Sequence, residues 1–183
     1  VNRMQEEGAD FIDIGGMSTA PYLSTMITEK MEINRIIKGI KIVQQHSNLP
    51  ISVDTCRSSV AKEALELGVD IINDITGLKY DSLMPKIVEK YSPSLILCAY
   101  SKKTVGTRHV TETKRLLQES IKIAKSVNIS KNKIIVDPAI GFFRHSGTGF
   151  PFTKITSNWT DRDVAVLRNL SSIKNDIPLV VSV

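Results

Sequence analysis

Three side chains able to share one ligand stand at the ends of short β-like runs. Asp54 closes Ile51-Ser52-Val53-Asp54, Asn73 lies near the end of Ile71-Ile72-Asn73-Asp74-Ile75, and Asp137 closes Ile134-Ile135-Val136-Asp137. Carboxylates and carboxamides offer acceptors, and an unpaired buried carboxylate is costly, so such a cluster demands donors. A ring edge with adjacent N–H and NH₂ groups meets that demand, because it pairs bidentately with a carboxylate. Ser18 and Thr19 follow Gly15-Gly16 after an earlier run, and Gly141 and Phe142 follow Asp137-Pro138. Any one of these acids could simply tie down its own loop. Three together at matched positions favour a common ligand.

The elements that must position them alternate. Six runs read as buried strands: 11–14, 51–54, 71–75, 95–100, 134–137 and 179–182. Helical patterns separate them. The clearest puts Ile33, Ile36, Ile37, Ile40 and Val43 on one stripe, with Thr28 as N-cap and Glu29 in the first turn. Others run near 58–67, 82–90, 113–126 and 161–170, the last with Thr160-x-x-Asp163 as a possible cap, and 1–7 is helix-like. Repeated strand–helix–strand text means a parallel sheet covered by helices. An open doubly wound sheet usually carries a glycine loop for a nucleotide, and neither GxGxxG nor GxxxxGK[ST] occurs. The expected fold is therefore a TIM (β/α)₈ barrel forming a single domain over residues 1–183. About six of its eight strands are expected here, with truncation at both ends. Barrel strands deliver their carboxyl ends to one mouth, which would bring Asp54, Asn73 and Asp137 together.

Composition narrows the function. The 183 residues are 42% apolar and 23% charged, as in ordinary globular proteins. The longest apolar run is far shorter than the roughly 20 residues of a membrane span, and no basic-then-apolar leader is visible, so a cytoplasmic setting is expected. Two cysteines, Cys56 and Cys98, make no disulfide framework. The net charge is +5, concentrated at 101–135, where nine Lys/Arg meet two acids. That segment reads as a solvated helix face rather than a nucleic-acid surface, since no aromatics interleave the lysines. Lys102, Lys103 and Arg108 could also supply loop cations. His46, His109 and His145 lack metal-ligand spacing. Residues 145–160 read as a long loop carrying Phe150, Phe152 and Trp159, either a lid or a packing contact.

Pterins and guanines both carry the donor edge described above, and the motifs choose between them. Gly8-Ala9-Asp10-Phe11-Ile12-Asp13-Ile14-Gly15-Gly16 followed by Met17-Ser18-Thr19-Ala20-Pro21 resembles the GAD-x-IDIGGESTRP stretch of the dihydropteroate synthase family. Ile51 to Thr55 resembles its ISVDT strand, Gly68 to Asp74 its GA-x-IIND, and Asp137 to Phe142 its DPGIGF. The likeness runs in order along nearly the whole chain. It implies a TIM barrel that condenses dihydropterin pyrophosphate with p-aminobenzoate in folate biosynthesis, usually with Mg²⁺, and a homodimer is expected. Carried over, Asp54, Asn73 and Asp137 would hold the pterin edge, the two acids serving as the catalytic carboxylates. Gly141 and Phe142 would line the pterin, and Ser18 and Thr19 would belong to the second substrate loop. The magnesium loop of the family has no counterpart in the sequence, so no metal ligand is assigned.

Departures from the pattern define the alternatives. Met17 and Ala20 stand where the family has Glu and Arg, Ala139 and Phe143 where it has Gly, and Arg144 where it often has Lys. In these positions the sequence resembles divergent, archaeal-type relatives more than the standard bacterial enzyme. A pterin-dependent methyltransferase barrel serving a corrinoid protein would share the acceptor clamp without a pyrophosphate site. A non-catalytic pterin-binding barrel would need only the clamp.

Overall fold

A computed structural model of the chain describes residues 1–22, 26–147, 151–174 and 176–182. Five runs form one parallel sheet in chain order: β1 (Ile12–Gly15), β2 (Ile51–Asp54), β3 (Ile71–Asp74), β4 (Ser94–Cys98) and β5 (Ile134–Asp137). Helix α1 (Asn2–Glu6) precedes β1. Between successive strands lie α2 (Glu29–His46), α3 (Ser58–Glu66), α4 (Met84–Tyr91) and α5 (His109–Ser126). Strand neighbours that follow chain order, each pair joined by a helix, make a barrel wall; a doubly wound sheet would reverse its order at a switch point.

The sixth expected run joins β5 at a single bridge, Val136 with Leu179, and the Val180 N–H donates to the Val136 carbonyl at 3.0 Å. Pro178 has no N–H to give a ladder, and the run has a neighbour on one side only among the described residues, so pairing stays local. Val183 lies outside the described residues.

Side chains alternate across each strand, so one face must meet the helices. That face carries Val53, Ile72, Leu95, Leu97, Ile134 and Val136, all buried, against Ile36 and Ile40 of α2, Val60 of α3, Val88 of α4 and Leu116 of α5. Thr28 caps α2 as expected, its Oγ1 accepting the Met31 N–H at 3.3 Å. Helix α6 (Trp159–Leu167) begins earlier than its pattern suggested. Asn158 is its N-cap, accepting the Thr160 N–H at 2.8 Å, and a short α7 (Leu170–Lys174) follows. Asp163 does not cap the helix because it is buried and turned toward the loop after β5.

The stretch expected to be one long loop holds structure. Strands β6 (Phe143–Arg144) and β7 (Thr153–Lys154) pair in parallel, Ile155 bridges Val105, and the Ser101 N–H donates to Thr153 Oγ1 at 2.9 Å. The loops after β4 and β5 are thus laced together above the strand ends. Phe152 is half-buried, Trp159 stacks under the Arg144 guanidinium at 3.7 Å, and Phe150 lies outside the described residues.

The turn after β3 shows how tightly these loops pack. Gly77 has φ +56°, and a Cβ there would lie 2.1 Å from Ser120 Oγ and 2.7 Å from the Cys98 carbonyl oxygen. Gly77→Ala combines a left-handed backbone with overpacking against a main-chain atom. It is expected to cost about 2 kcal/mol of stability, read as a lowered midpoint in urea unfolding.

Candidate active site

Register fixes which polar groups meet. Asp54 of β2 is the pairing partner of Asn73 on β3 and of Gly15 on β1. Asp13 pairs with Ser52, and Cys98 pairs with Asp137. Asn73 continues through Ile96 to Ile135, two residues before Asp137. By alternation, Asp13, Ser52, Asp54, Asn73, Cys98 and Asp137 therefore share the face away from the helices. The neighbouring Ile14 points the other way: a Cβ on Gly39 of α2 would come within 2.8 Å of its Cγ2. The three residues singled out from sequence thus sit on one face. Asp54 and Asn73 share a rung and Asp137 stands one rung further along.

Asn73 and Asp74, adjacent in sequence, part company. Asp74 faces the helices, where it accepts from Thr76 N at 2.8 Å, Thr76 Oγ1 at 2.6 Å and Leu78 N at 2.9 Å. It ties down the β3 turn. Asn73 gives its Nδ2 to Asp13 Oδ2 at 3.1 Å. A carboxylate accepts only, so this bond fixes the amide with Oδ1 as its remaining acceptor. Asn73 Oδ1 and Asp54 Oδ1 are both enclosed and without a partner among the described residues, as is Ser52 Oγ on the same face. Two unpaired acceptors at paired strand positions are what a molecule with adjacent donors would satisfy.

The electrostatics agree. Asp54 retains some exposed surface as a residue, but its carboxyl is enclosed. Burial first, then the negative charges of Asp13, Asp74 and Glu32, push it up to about 8, against a lowering contribution from the Thr19 hydroxyl. Thr19 is thus brought to Asp54. Ser18 is exposed and turned onto its own loop, accepting the Ala20 N–H at 3.4 Å. Burial pushes Asp137 up to about 6, opposed by the Ala139 N–H and the Arg162 charge. Cationic or donor-rich ligands convert both groups to carboxylates.

Asp137 heads a loop with unusual backbone. Its Oδ1 accepts the Ala139 N–H at 2.6 Å, and Ala139 adopts φ +59°, a left-handed conformation that costs a residue with a Cβ roughly 1–2 kcal/mol. Gly141, at φ +82°, gives its N–H to Asp163 Oδ2 at 2.9 Å, and Phe142 is half-buried beside it.

Residues that sequence reading missed support this face. Asp13 and Ser52 lie two positions before Gly15 and Asp54, so alternation within each strand carried the signal. Glu32 and Arg57 lie behind the site. Glu32 is fully buried, accepts from Thr55 Oγ1 at 2.7 Å and meets Arg57 Nη1 at 2.6 Å. Arg162 is buried among the carbonyls that follow Asp137. Nothing in the string Thr160-Asp161-Arg162-Asp163 marked it as inward-facing.

The remaining polar groups do simpler work. Lys102 Nζ donates to the Tyr80 carbonyl at 3.3 Å, while Lys103 and Arg108 are exposed. Arg115 pairs with Glu112 and Glu119 along α5. His109 meets Ser157 Oγ at 2.8 Å, and His145 Nδ1 donates to the Ile155 carbonyl at 2.9 Å. Cys56 and Cys98 are buried and unpaired, and burial pushes both thiols up, away from thiolate chemistry. Among the described residues, no group of three or more His, Cys, Asp or Glu side chains is placed to hold a metal ion. No helix there is long and apolar enough to cross a membrane.

A parallel βα wall with carboxylate and carboxamide side chains gathered at its strand ends has the architecture of a (β/α) barrel, the class of fold that carries its ligand sites there. The chain matches the family model described as pterin binding enzyme over residues 1–182, and it belongs to that family. It is 37% identical over 142 residues to the dihydropteroate synthase of Clostridium beijerinckii, covering 78% of this chain and 52% of the relative. Among solved structures, the dihydropteroate synthase of Clostridium difficile in the presence of pteroic acid superposes with a TM-score of 0.81 at 32% identity, covering 98% of this chain and 63% of that one. The enzyme of Xanthomonas albilineans with 4-aminobenzoic acid gives a TM-score of 0.82 at 28% identity, covering 98% and 60%. The five-stranded wall is thus part of a TIM barrel, and the chain spans about half the length of the curated relative.

Proposed function

We propose that the protein containing this chain is a dihydropteroate synthase: it joins a dihydropterin pyrophosphate to p-aminobenzoate and releases pyrophosphate. The observation that carries the reading is the pair of enclosed, partnerless acceptors, Asp54 Oδ1 and Asn73 Oδ1, at matched rungs. A pterin presents adjacent ring N–H and NH₂ donors that satisfy both. Asp137, one rung along, supplies a further acceptor, with Gly141 and Phe142 beside it and Thr19 reaching Asp54 from the loop after β1.

In this reaction the bond from the pterin methylene carbon to the pyrophosphate oxygen breaks, and a bond from that carbon to the arylamine nitrogen forms. The amine then gives its proton to solvent. Positive charge develops on the ring as the leaving group departs, and ionised Asp54 and Asp137 stabilise it. A neutral arylamine needs little base help, so positioning supplies much of the rest. Magnesium, which the family resemblance implies, finds no ligand set among the described residues, and no step here runs through it. Unpaired buried cysteines support a cytoplasmic setting. Exposed Val164 and Leu167 on α6 suit a homodimer.

The test incubates full-length protein with dihydropterin pyrophosphate, p-aminobenzoate and Mg²⁺ and measures pyrophosphate release. Stoichiometric turnover is the expected outcome. Tight binding of a reduced pterin without turnover would instead favour the methyltransferase or binding-only barrel, which the departures at Met17 and Ala20 already admit.

A further inference from the structure

We infer that Arg162 and Asp163 of α6 are a positioning pair that holds the loop after Asp137 in its ligand-binding shape and compensates for alanine at position 139. The inference rests on the reading of Asp137 as a pterin ligand.

Arg162 is 1% exposed, yet its guanidinium spans the loop. Nη2 donates to the Pro138 carbonyl at 2.5 Å and to Thr113 Oγ1 of α5 at 2.9 Å. Nη1 donates to the Ala139 carbonyl at 3.0 Å and to Asp163 Oδ1 at 2.9 Å. Its flat face lies 3.7 Å from the centre of the Phe143 ring. The other oxygen of Asp163 takes the Gly141 N–H at 2.9 Å. Two adjacent residues therefore fasten positions 138, 139, 141 and 143.

The fastening has a specific object. Ala139 sits at φ +59°, a conformation glycine adopts freely and alanine does not. Strained backbone persists only where its surroundings over-determine it. The Ala139 N–H is also the donor that orients Asp137 Oδ1, so holding residue 139 holds the ligand carboxylate. Burying an arginine is expensive, and here Asp163 offsets the charge while four of the five N–H groups are taken, two by the loop carbonyls and one each by Thr113 and Asp163; Nε has no partner among the described residues. Lysine could not replace this fork, because one ammonium cannot reach four acceptors in a plane. The charged and titratable groups that act on Asp137 are Arg162 from α6 and the Cys98 thiol from β4. Arg162 is the cation among them and favours the ionised carboxylate.

The experiment measures reduced-pterin affinity of the full-length protein between pH 5 and 9 for wild type, Arg162→Met, Arg162→Lys, Ala139→Gly and the double variant Arg162→Lys/Ala139→Gly, with thermal melting alongside. Arg162→Met is expected to bind at least tenfold more weakly at pH 7, with the acid limb of binding moved to higher pH. Arg162→Lys is expected to keep the wild-type limb but lose affinity, and Ala139→Gly in that background is expected to restore most of it. Folded Arg162 variants with wild-type affinity and an unmoved pH profile would overturn the inference. So would a Lys variant that glycine at 139 fails to rescue. Should Arg162→Met not fold, the two lysine variants decide alone. A wild type that binds no pterin at any pH would instead remove the underlying functional reading.

Discussion

Replacing Asp54 with asparagine is expected to weaken reduced-pterin binding by about 2–5 kcal/mol, because a desolvated ion-pairing partner disappears while its donors stay buried. The substitution keeps the shape but not the chemistry. An NH₂ group would now confront the ligand's own N–H donors, and Asn73 cannot compensate, since its Nδ2 is held by Asp13 and its single free acceptor, Oδ1, is already the second half of the proposed clamp. Titration calorimetry reads the loss directly. An affinity equal to wild type would show that the enclosed Oδ1 has no part in recognition.

The same residue predicts opposite pH trends for the free and bound protein. In the folded state Asp54 holds its proton up to about 8, against an ordinary 3.8. The native state thus binds that proton more tightly than the unfolded chain. Its contribution to stability is fully present below about pH 4 and is lost as pH rises through about 8. Asp137 adds the same sign of slope up to about 6. In the proposed function the ligand pairs with the carboxylates, so pterin affinity should climb over the range in which the free protein weakens. Melting curves of Asp54→Asn should lack most of the upper part of this slope, making the variant relatively more stable than wild type above pH 8. Identical pH–stability profiles for the two proteins would contradict the assignment.

The second large effect lies behind the site. Arg57→Ala is expected to cost about 3–5 kcal/mol, because it strands the fully buried Glu32 carboxylate with, among the described residues, only the Thr55 hydroxyl as partner. Arg57 also donates Nη2 to the Ile27 carbonyl at 3.1 Å, so the approach to α2 loosens as well. Differential scanning calorimetry should register a fall in melting temperature on the order of 10 °C. Adding Glu32→Gln should recover a large part of it, since a neutral amide no longer needs a counter-charge. A double variant as unstable as Arg57→Ala alone would refute the buried-charge explanation.

The sequence carried the wall of this fold well and its roof poorly. Strands β2 and β5 coincide with their apolar runs, because a strand buried by a helix on one face needs an unbroken β-rich segment between turns. The apolar stripe of α2 and its Thr28 cap were equally plain. Strand-end acids were legible for the same reason: each interrupts an apolar run at its carboxyl end. The β6–β7 pair was not. Two-residue strands have no periodicity to read, and what holds them are contacts from distant loops, such as Ser101 to Thr153. Arg162 was hidden by its composition. A charged residue beside two aspartates looks solvated, and it takes the Asp163 carboxylate, the Thr113 hydroxyl and the carbonyls of Pro138 and Ala139 together to make the interior a tolerable place for it. Thr19 and Ser18 were indistinguishable as text, and only the turn of the chain decides that one reaches Asp54 and the other does not.

The two sulfhydryls offer a practical handle. With Cys56 at 2% and Cys98 at 5% exposure, neither can meet an alkylating reagent until the wall opens. Labelling rates in the folded protein would therefore act as a clock for breathing of the second and fourth βα units, slowed by anything that grips the mouth. A maleimide screen could rank unknown small molecules by the protection they confer, with no assay for the reaction itself.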